Sequence, residues 1–100
     1  MEMLKLEESG HCRIQMRGRF TFSDNPEFRE VIQMISSGQV SQMMLDISRL
    51  DFVDSAALGM LLLARDEAEK HRIRLTLSEP VGQVKKIFNV VRFDELFTIV

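Results

Sequence analysis

Cysteine, tryptophan, tyrosine and long apolar runs are scarce or missing in this 100-residue sequence. Its one cysteine, Cys12, has no partner for an internal disulfide, as is typical of proteins from a reducing compartment. The longest apolar run, Met60 to Ala64, is too short to cross a bilayer, and the first residues do not resemble a signal peptide. We therefore expect a cytoplasmic protein without membrane insertion.

An excess of charge of one sign is also lacking. The 13 basic and 15 acidic residues give a formal net charge of −2, which favours neither nucleic acid nor an anionic membrane as a partner. Arg13, Arg17 and Arg19 recur at alternate positions and would share one face of a strand, but no aromatic residues interleave with them. We expect a solvated face there and no direct binding of nucleic acid.

The motifs of common enzyme classes are absent as well. The sequence has no GxxxxGK[ST] phosphate loop and no GxGxxG loop, and Ser55 lacks the glycines of a GxSxG nucleophile elbow. Neither His11 nor His71 has a partner set that would make it a base for Ser55, and Cys12 falls on the inward phase of its segment. We expect no enzymatic activity, no cofactor and no metal.

Apolar residues at alternate positions dominate the beginning of the chain. Leu4 and Leu6 alternate with charged residues, and Glu8-Ser9-Gly10 supplies a turn. A second alternating series follows the turn, formed by Cys12, Ile14, Met16, Phe20 and Phe22. This pattern predicts a hairpin of two strands, each with one buried face. Later strands are predicted at Met43–Ile47 and Ile73–Leu77, with a last short strand at Leu96–Val100.

Helical spacing appears three times. The first helix begins within Ser23–Glu27, which holds two capping residues and a proline suited to a first turn, and ends at Ser36-Ser37-Gly38. Its apolar stripe consists of Phe28, Val31, Ile32 and Ile35. A helix opened by Pro80 has the same spacing at Val84, Ile87, Phe88 and Val91. The order of elements predicts one α/β domain in which helices cross between parallel strands.

The central stretch joins a strand to the remaining helix. Met43–Ile47 is followed by a brief connection, Ser48 to Asp51, then by Phe52-Val53 and the pair Asp54-Ser55. Asp and Ser are preferred N-caps because their oxygens accept from unpaired N–H groups of the first turn. The simplest interpretation is that one of the pair caps the helix.

The helix after Asp54-Ser55 is apolar nearly all round in its first turns. We expect an inward stripe of Leu58, Leu61, Leu62 and Ala68, with Met60 and Leu63 pointing elsewhere. A surface helix should expose a polar face, so part of this one is either covered or offered to a partner. An exposed Met60 or Leu63 would also support weak self-association.

A phosphate on Ser55 would add roughly −1.5 to −2 charges. The helix dipole tolerates negative charge at this end, so the fold should survive, while a partner with apolar or acidic groups there would be repelled. The residues alone leave two interpretations open for Ser55, a helix cap and a phosphorylation switch.

Around this serine the chain resembles the STAS domains, and within them the single-domain anti-sigma-factor antagonists. The family's VLDLS, short loop and F-[IV]-DSSGLG are matched by Met44–Ser48 and Phe52–Gly59. Its GELD…PELR segment is matched by Gly18–Thr21 and Pro26–Arg29, and its close by Val91–Phe97. The resemblance implies a single STAS domain over residues 1–100, an α/β fold with a small mixed sheet and helices packed against it, in the order β-β-α-β-α-β-α(-β).

The resemblance implies partner switching as the function. In the family, the serine after the motif aspartate is phosphorylated by a GHKL-type serine kinase that is also an anti-sigma factor, and a PP2C-type phosphatase removes the phosphate. The unphosphorylated antagonist binds the kinase and frees its sigma factor. Here Ser55 would be the acceptor. The implied partner-binding residues are Thr21, Phe22, Ser23, Asp54, Ser55, Ala56, Ala57, Leu58, Gly59 and Met60.

Two residues depart from the family pattern. Ala57 stands where the family usually has glycine, and Thr21 stands in place of the GELD aspartate. A second hypothesis is a constitutive scaffold, an accessory STAS subunit of a lipid-transport ATPase or of a stressosome-like complex. In that protein Ser55 would be only a cap.

Overall fold

A computed structural model describes residues 1–100. The chain forms five strands, one 3-10 turn and four helices. In chain order they are β1 (Glu2–Glu8), β2 (His11–Phe20), the 3-10 turn (Phe22–Asp24), α1 (Asn25–Ser36), β3 (Gln42–Val53), α2 (Ser55–Lys70), β4 (Arg74–Ser78), α3 (Gly82–Val90), α4 (Phe93–Leu96) and β5 (Thr98–Ile99).

The five strands make one mixed sheet in the order β1-β2-β3-β4-β5. β1 and β2 pair antiparallel through the tight turn at Ser9-Gly10, and all later neighbours pair parallel. Gly10 has a φ of +81°, a conformation that glycine adopts at little cost. The predicted α/β class, the hairpin and the parallel crossovers are confirmed.

One prediction for the hairpin is wrong, because Leu4 and Leu6 do not face the core. Leu4 is 56% and Leu6 is 50% exposed. The register places them opposite Gln15 and Arg13, on the face of the sheet that also exposes Arg17. Side chains directly opposite each other share a face, so these leucines lie on the solvated side.

The strand β3 is longer than the sequence predicts. The expected connection from Ser48 to Asp51 is part of the strand, which continues past two register shifts relative to β2. At the first shift, Oδ1 of Asp46 accepts from the Ser48 N–H at 3.1 Å and from the Ser48 hydroxyl at 2.7 Å. Such local bonds to backbone accommodate an irregular residue inside a strand.

The helix α1 packs as its spacing predicts. Phe28, Val31 and Ile35 are buried, and Ile32 is partly buried against the same core. The Phe28 ring lies 5.0 Å from the ring of Phe20 at the end of β2, centroid to centroid. This contact fixes α1 over the end of the sheet that leads into the following turn.

The helix α2 buries a different set of residues from the predicted stripe. Leu61 and Ala68 are buried as expected, whereas Leu58 and Leu62 are only partly buried. Met60 is 4% exposed, so the prediction that it points away from the core is wrong. The reason is α1, which packs along α2, so that Ile32 and Met60 line the groove between the two helices. The other buried residues of α2 are Ala57 and Ala64.

The C-terminal part differs in detail from the sequence prediction. Val91 is 39% exposed and lies just beyond α3, so it does not extend the buried pair Val84 and Phe88. The short helix α4 follows, and Phe93 and Phe97 continue an aromatic stack from Phe88. The predicted last strand is confirmed as β5, which pairs with β4. No helix combines the length and apolar character needed to cross a membrane.

Candidate functional site

The carboxyl ends of β2 and β3 bring two loop segments together. Phe20 and Val53 are register partners at the ends of these strands, so the residues that follow leave the sheet side by side. The backbone N–H of Asp54 still donates to the carbonyl oxygen of Phe20, at 3.2 Å. Thr21 and Asp54 therefore lie at the same edge of the sheet although they are far apart in sequence.

The carboxylate of Asp54 fixes both segments. Its Oδ1 accepts from the backbone N–H of Ala57 at 2.8 Å, which caps the first turn of α2. Its Oδ2 accepts from the backbone N–H of Phe22 at 3.0 Å. Both oxygens are thus used as acceptors, one for each segment. The sequence predicts a cap at this position. It does not predict the bond to Phe22, because Phe22 and Asp54 are distant in sequence.

Ser55 is the first residue of α2 and takes no part in this bonding. Its side chain is exposed, and the capping acceptor of the helix is Asp54. The residues alone left the cap open between the two side chains, and the structure assigns it to Asp54. The hydroxyl of Ser55 is left free at a helix N-terminus, where the partial positive charge of the dipole favours an added anion.

The turn after β2 presents an aromatic ring at the edge of the sheet where α2 begins. Phe22 is 69% exposed, so its predicted place on the buried phase of the strand is wrong. The strand ends at Phe20, and the 3-10 turn rotates Phe22 outward. Asp24 Oδ2 holds the turn by accepting from the Thr21 N–H at 2.9 Å. The Thr-x-x-Asp spacing resembles a capping box and was the available sequence signal.

Most residues predicted to bind a partner lie together at this edge. We call them the Ser55 surface, which consists of Thr21, Phe22, Ser23, Asp54, Ser55, Ala56, Leu58 and Gly59. All eight are exposed or half-buried. Ala57 is fully buried and Met60 nearly so, and both side chains lie beneath the surface. Leu63 is 56% exposed two turns along α2 from Ser55, and sequence reasoning left it out of this set.

The Ser55 surface carries an uncompensated negative charge. None of the salt bridges in the structure involves Asp54. The Arg19 guanidinium, one strand position before Phe20, instead lies over the ring of Phe52 at 4.1 Å from its centroid. A second negative group on Ser55 would therefore stand beside a carboxylate that no cation neutralises.

No group of three or more His, Cys, Asp or Glu side chains is arranged to hold a metal ion. Cys12 is 3% exposed, as its inward phase predicts. Burial, helped by the charge of Glu7, raises the pKa of the Cys12 thiol, so this cysteine is held in its unreactive form.

Comparison with known proteins assigns the family. The family model described as "Mlab, STAS domain" matches residues 4–100. A STAS-domain containing protein of Pseudomonas aeruginosa (strain UCBPP-PA14) is 34% identical over 86 residues, which are 86% of this chain and 84% of that relative. This chain belongs to the STAS family. The resemblance carried by the Asp54-Ser55 motif is confirmed.

Solved structures share the STAS fold with this chain. The anti-sigma factor antagonist SpoIIAA in its unphosphorylated form is 21% identical, with a TM-score of 0.78 over 99% of this chain and 87% of that chain. The phosphorylated form from Bacillus gives the same TM-score and identity over 99% and 91%. An anti-sigma factor antagonist from Mycobacterium paratuberculosis is 14% identical, with a TM-score of 0.83 over 98% and 83%. At these identities the likeness shows the fold alone.

Proposed function

We propose that this protein is an anti-sigma-factor antagonist that switches partners through reversible phosphorylation of Ser55. The observation that carries the proposal is the division of roles between Asp54 and Ser55. Because Asp54 caps α2 and holds the Phe22 turn, a phosphate on Ser55 breaks no bond of the folded chain. Unphosphorylated SpoIIAA and its phosphorylated form have each been solved, and this chain matches both equally well.

The partner in this proposal is a GHKL-type serine kinase that acts as an anti-sigma factor. It contacts the Ser55 surface, where the exposed ring of Phe22 and the half-buried Leu58 supply apolar area beside the acceptor hydroxyl. Aromatic residues, phenylalanine included, are enriched in the cores of protein interfaces. Asp54 keeps Phe22 in place relative to α2, so the partner meets a preformed surface.

Phosphorylation would release the partner by charge. The phosphate adds roughly −1.5 to −2 charges next to the unpaired carboxylate of Asp54. The helix N-terminus stabilises that charge in the free protein, while an apolar or acidic partner surface pressed against it would have to desolvate it. A PP2C-type phosphatase resets the switch. The STAS protein itself is a phosphate acceptor and a binding module, and it performs no catalysis.

A pull-down from the native cell tests this proposal. Ser55→Ala should retain a kinase-type partner, and Ser55→Asp should lose it. Gln39→Asp is the matched control, because it adds the same charge to an exposed loop at the opposite end of β3. If Ser55→Asp captured the kinase as well as wild type does, the switch would be refuted.

The second candidate is a constitutive scaffold, an accessory STAS subunit of a lipid-transport ATPase or of a stressosome-like complex. The match to the family model described as "Mlab, STAS domain" supports this candidate. A scaffold would bind its complex through the same surface without modification of Ser55. Intact-mass measurement on protein from its native cell separates the two functions. A phosphatase-sensitive species about 80 Da heavier, the mass of a phosphoryl group, supports the switch. Its absence under every growth condition supports the scaffold.

A further inference from the structure

The outer edge of β1 is a free sheet edge. β1 runs from Glu2 to Glu8 without a bulge and pairs only with β2, so one row of its backbone groups has no partner strand. Leu4 and Leu6 expose half or more of their side chains along it. A long edge of this kind is a template for pairing with another strand unless its side chains prevent that.

The charged residues of β1 restrict what can pair with it. Lys5 and Glu7 lie opposite Ile14 and Cys12, on the face of the sheet that carries the core. Both are exposed because they stand at the margin of that face. Charges pointing to the core side of an edge normally deter a neighbouring strand. A strand that brings the opposite charge to each position would be accepted.

A second copy of β1 brings those charges in one antiparallel register. When two β1 strands pair about Leu6, Lys5 of each copy faces Glu7 of the other, and Leu6 faces Leu6. A register about Lys5 would set lysine against lysine and Glu2 against Glu8. A register about Leu4 would give Lys5 only Met3 as its opposite residue. Opposite charges directly across strands stabilise a pair, and like charges destabilise it.

We propose that two copies of this chain associate through their β1 edges in the register centred on Leu6, joining two five-stranded sheets into one continuous sheet. The symmetry of the contact repeats the Lys5–Glu7 pair twice, as expected for an interface with a two-fold axis. Edge pairing covers little area, so the dimer forms at high protein concentration. β3 lies two strands inward from the edge, and the Ser55 surface of each copy stays free.

Charge reversal tests the register. Sedimentation of the untagged protein over a concentration series should show a wild-type dimer. Lys5→Glu and Glu7→Lys should each weaken it by about tenfold or more, because two like-charge contacts replace two favourable ones. The double variant should dimerise again. An equimolar mixture of the two single variants should form a heterodimer, because one chain then carries two acids and the other two lysines.

Lys85→Glu is the matched control, since it makes the same charge change at an exposed position on α3. Circular dichroism confirms that each variant is folded. A wild-type protein that is monomeric at every concentration would overturn the proposal. Unchanged dissociation constants in the single variants, or no heterodimer in the mixture, would overturn it as well. The proposal is independent of phosphorylation at Ser55.

Discussion

Asp46 lies within β3 and Asp54 directly follows the last residue of that strand. The carboxylates of the two residues are bonded in similar ways. Each accepts from a backbone N–H a few residues further along, Ser48 for Asp46 and Ala57 for Asp54. Each also binds the neighbouring chain segment, since Asp46 accepts from the Arg13 guanidinium and Asp54 from the Phe22 N–H. One bond pattern thus shapes an irregular strand at the first site and starts a helix at the second.

The serines beside these carboxylates show the difference. The hydroxyl of Ser48 donates to Asp46, whose charge is also paired with Arg13 at 2.9 Å. The hydroxyl of Ser55 is exposed, and the charge of Asp54 has no basic partner. At the first site, the hydroxyl and the carboxylate are both engaged in bonds that hold the fold. The second keeps a hydroxyl without a hydrogen bond at the start of a capped helix, as the proposed phosphorylation of Ser55 requires.

The largest effect is expected at Asp54. Asp54→Ala removes the cap of α2 and leaves the Phe22 N–H without its acceptor, so the free energy of unfolding should fall by about 2 kcal/mol. Asp54→Asn keeps one acceptor oxygen and should lose about half as much. Urea unfolding measures both, and binding of the kinase-type partner should weaken together with stability. A stable Asp54→Ala would mean that the two segments are held by other contacts.

A smaller effect, dependent on pH, is expected at Asp46. Burial alone would raise the pKa of Asp46, but the hydrogen bonds from Ser48 and Arg13 outweigh it and hold the pKa below its ordinary value. A lowered pKa in the folded state stabilises the protein above the unfolded value, and this contribution is lost as the pH falls through the folded value.

Asp46→Asn measures that contribution. The variant should be less stable than wild type by about 1 kcal/mol at neutral pH, and the difference should shrink below about pH 4. Urea unfolding across a pH series measures it, and partner binding at neutral pH should be unchanged. A difference that stays constant into the acid range would contradict the assigned role of the carboxylate charge.

The smallest effects separate the two serines. Ser48→Ala loses a bond to a buried carboxylate and should cost about 1 kcal/mol. Ser55→Ala loses no bond and should lie within about 0.5 kcal/mol of wild type. Thermal unfolding of the matched pair checks both values. A destabilised Ser55→Ala would return Ser55 to the role of a structural cap.

The local patterns of the sequence predicted most elements of this fold. Apolar alternation located the hairpin and β4, and the spacing of Phe28, Val31 and Ile35 located α1. Where prediction failed, contacts between elements decided. Met60 is buried where α1 packs along α2, which the periodicity of α2 alone cannot show. The stretch Ser48 to Asp51 resembles a loop in the sequence because three of its four residues are polar and the register shifts of β3 interrupt its alternation.

The candidate site was predictable only in part. The Asp54-Ser55 pair at a helix start follows from capping preferences, but these did not separate a cap from a switch. Resemblance to STAS domains led to the hypothesis of a switch at Ser55, and the structure assigns the cap of α2 to Asp54. Phe22 was placed on the wrong face because alternation does not show where a strand ends. Its bond to Asp54 joins residues distant in sequence, which no local pattern encodes.

The most direct measurement compares the two forms of one protein. A sample of the protein phosphorylated at Ser55 is divided into two halves, and one half is treated with phosphatase. Both halves are then titrated into the purified kinase-type partner, and calorimetry measures the affinities. We expect tight binding of the dephosphorylated half and loss of binding for the phosphorylated half, with both halves equally stable to heat. Equal affinities of the two halves for the partner would contradict the proposed phosphorylation switch at Ser55.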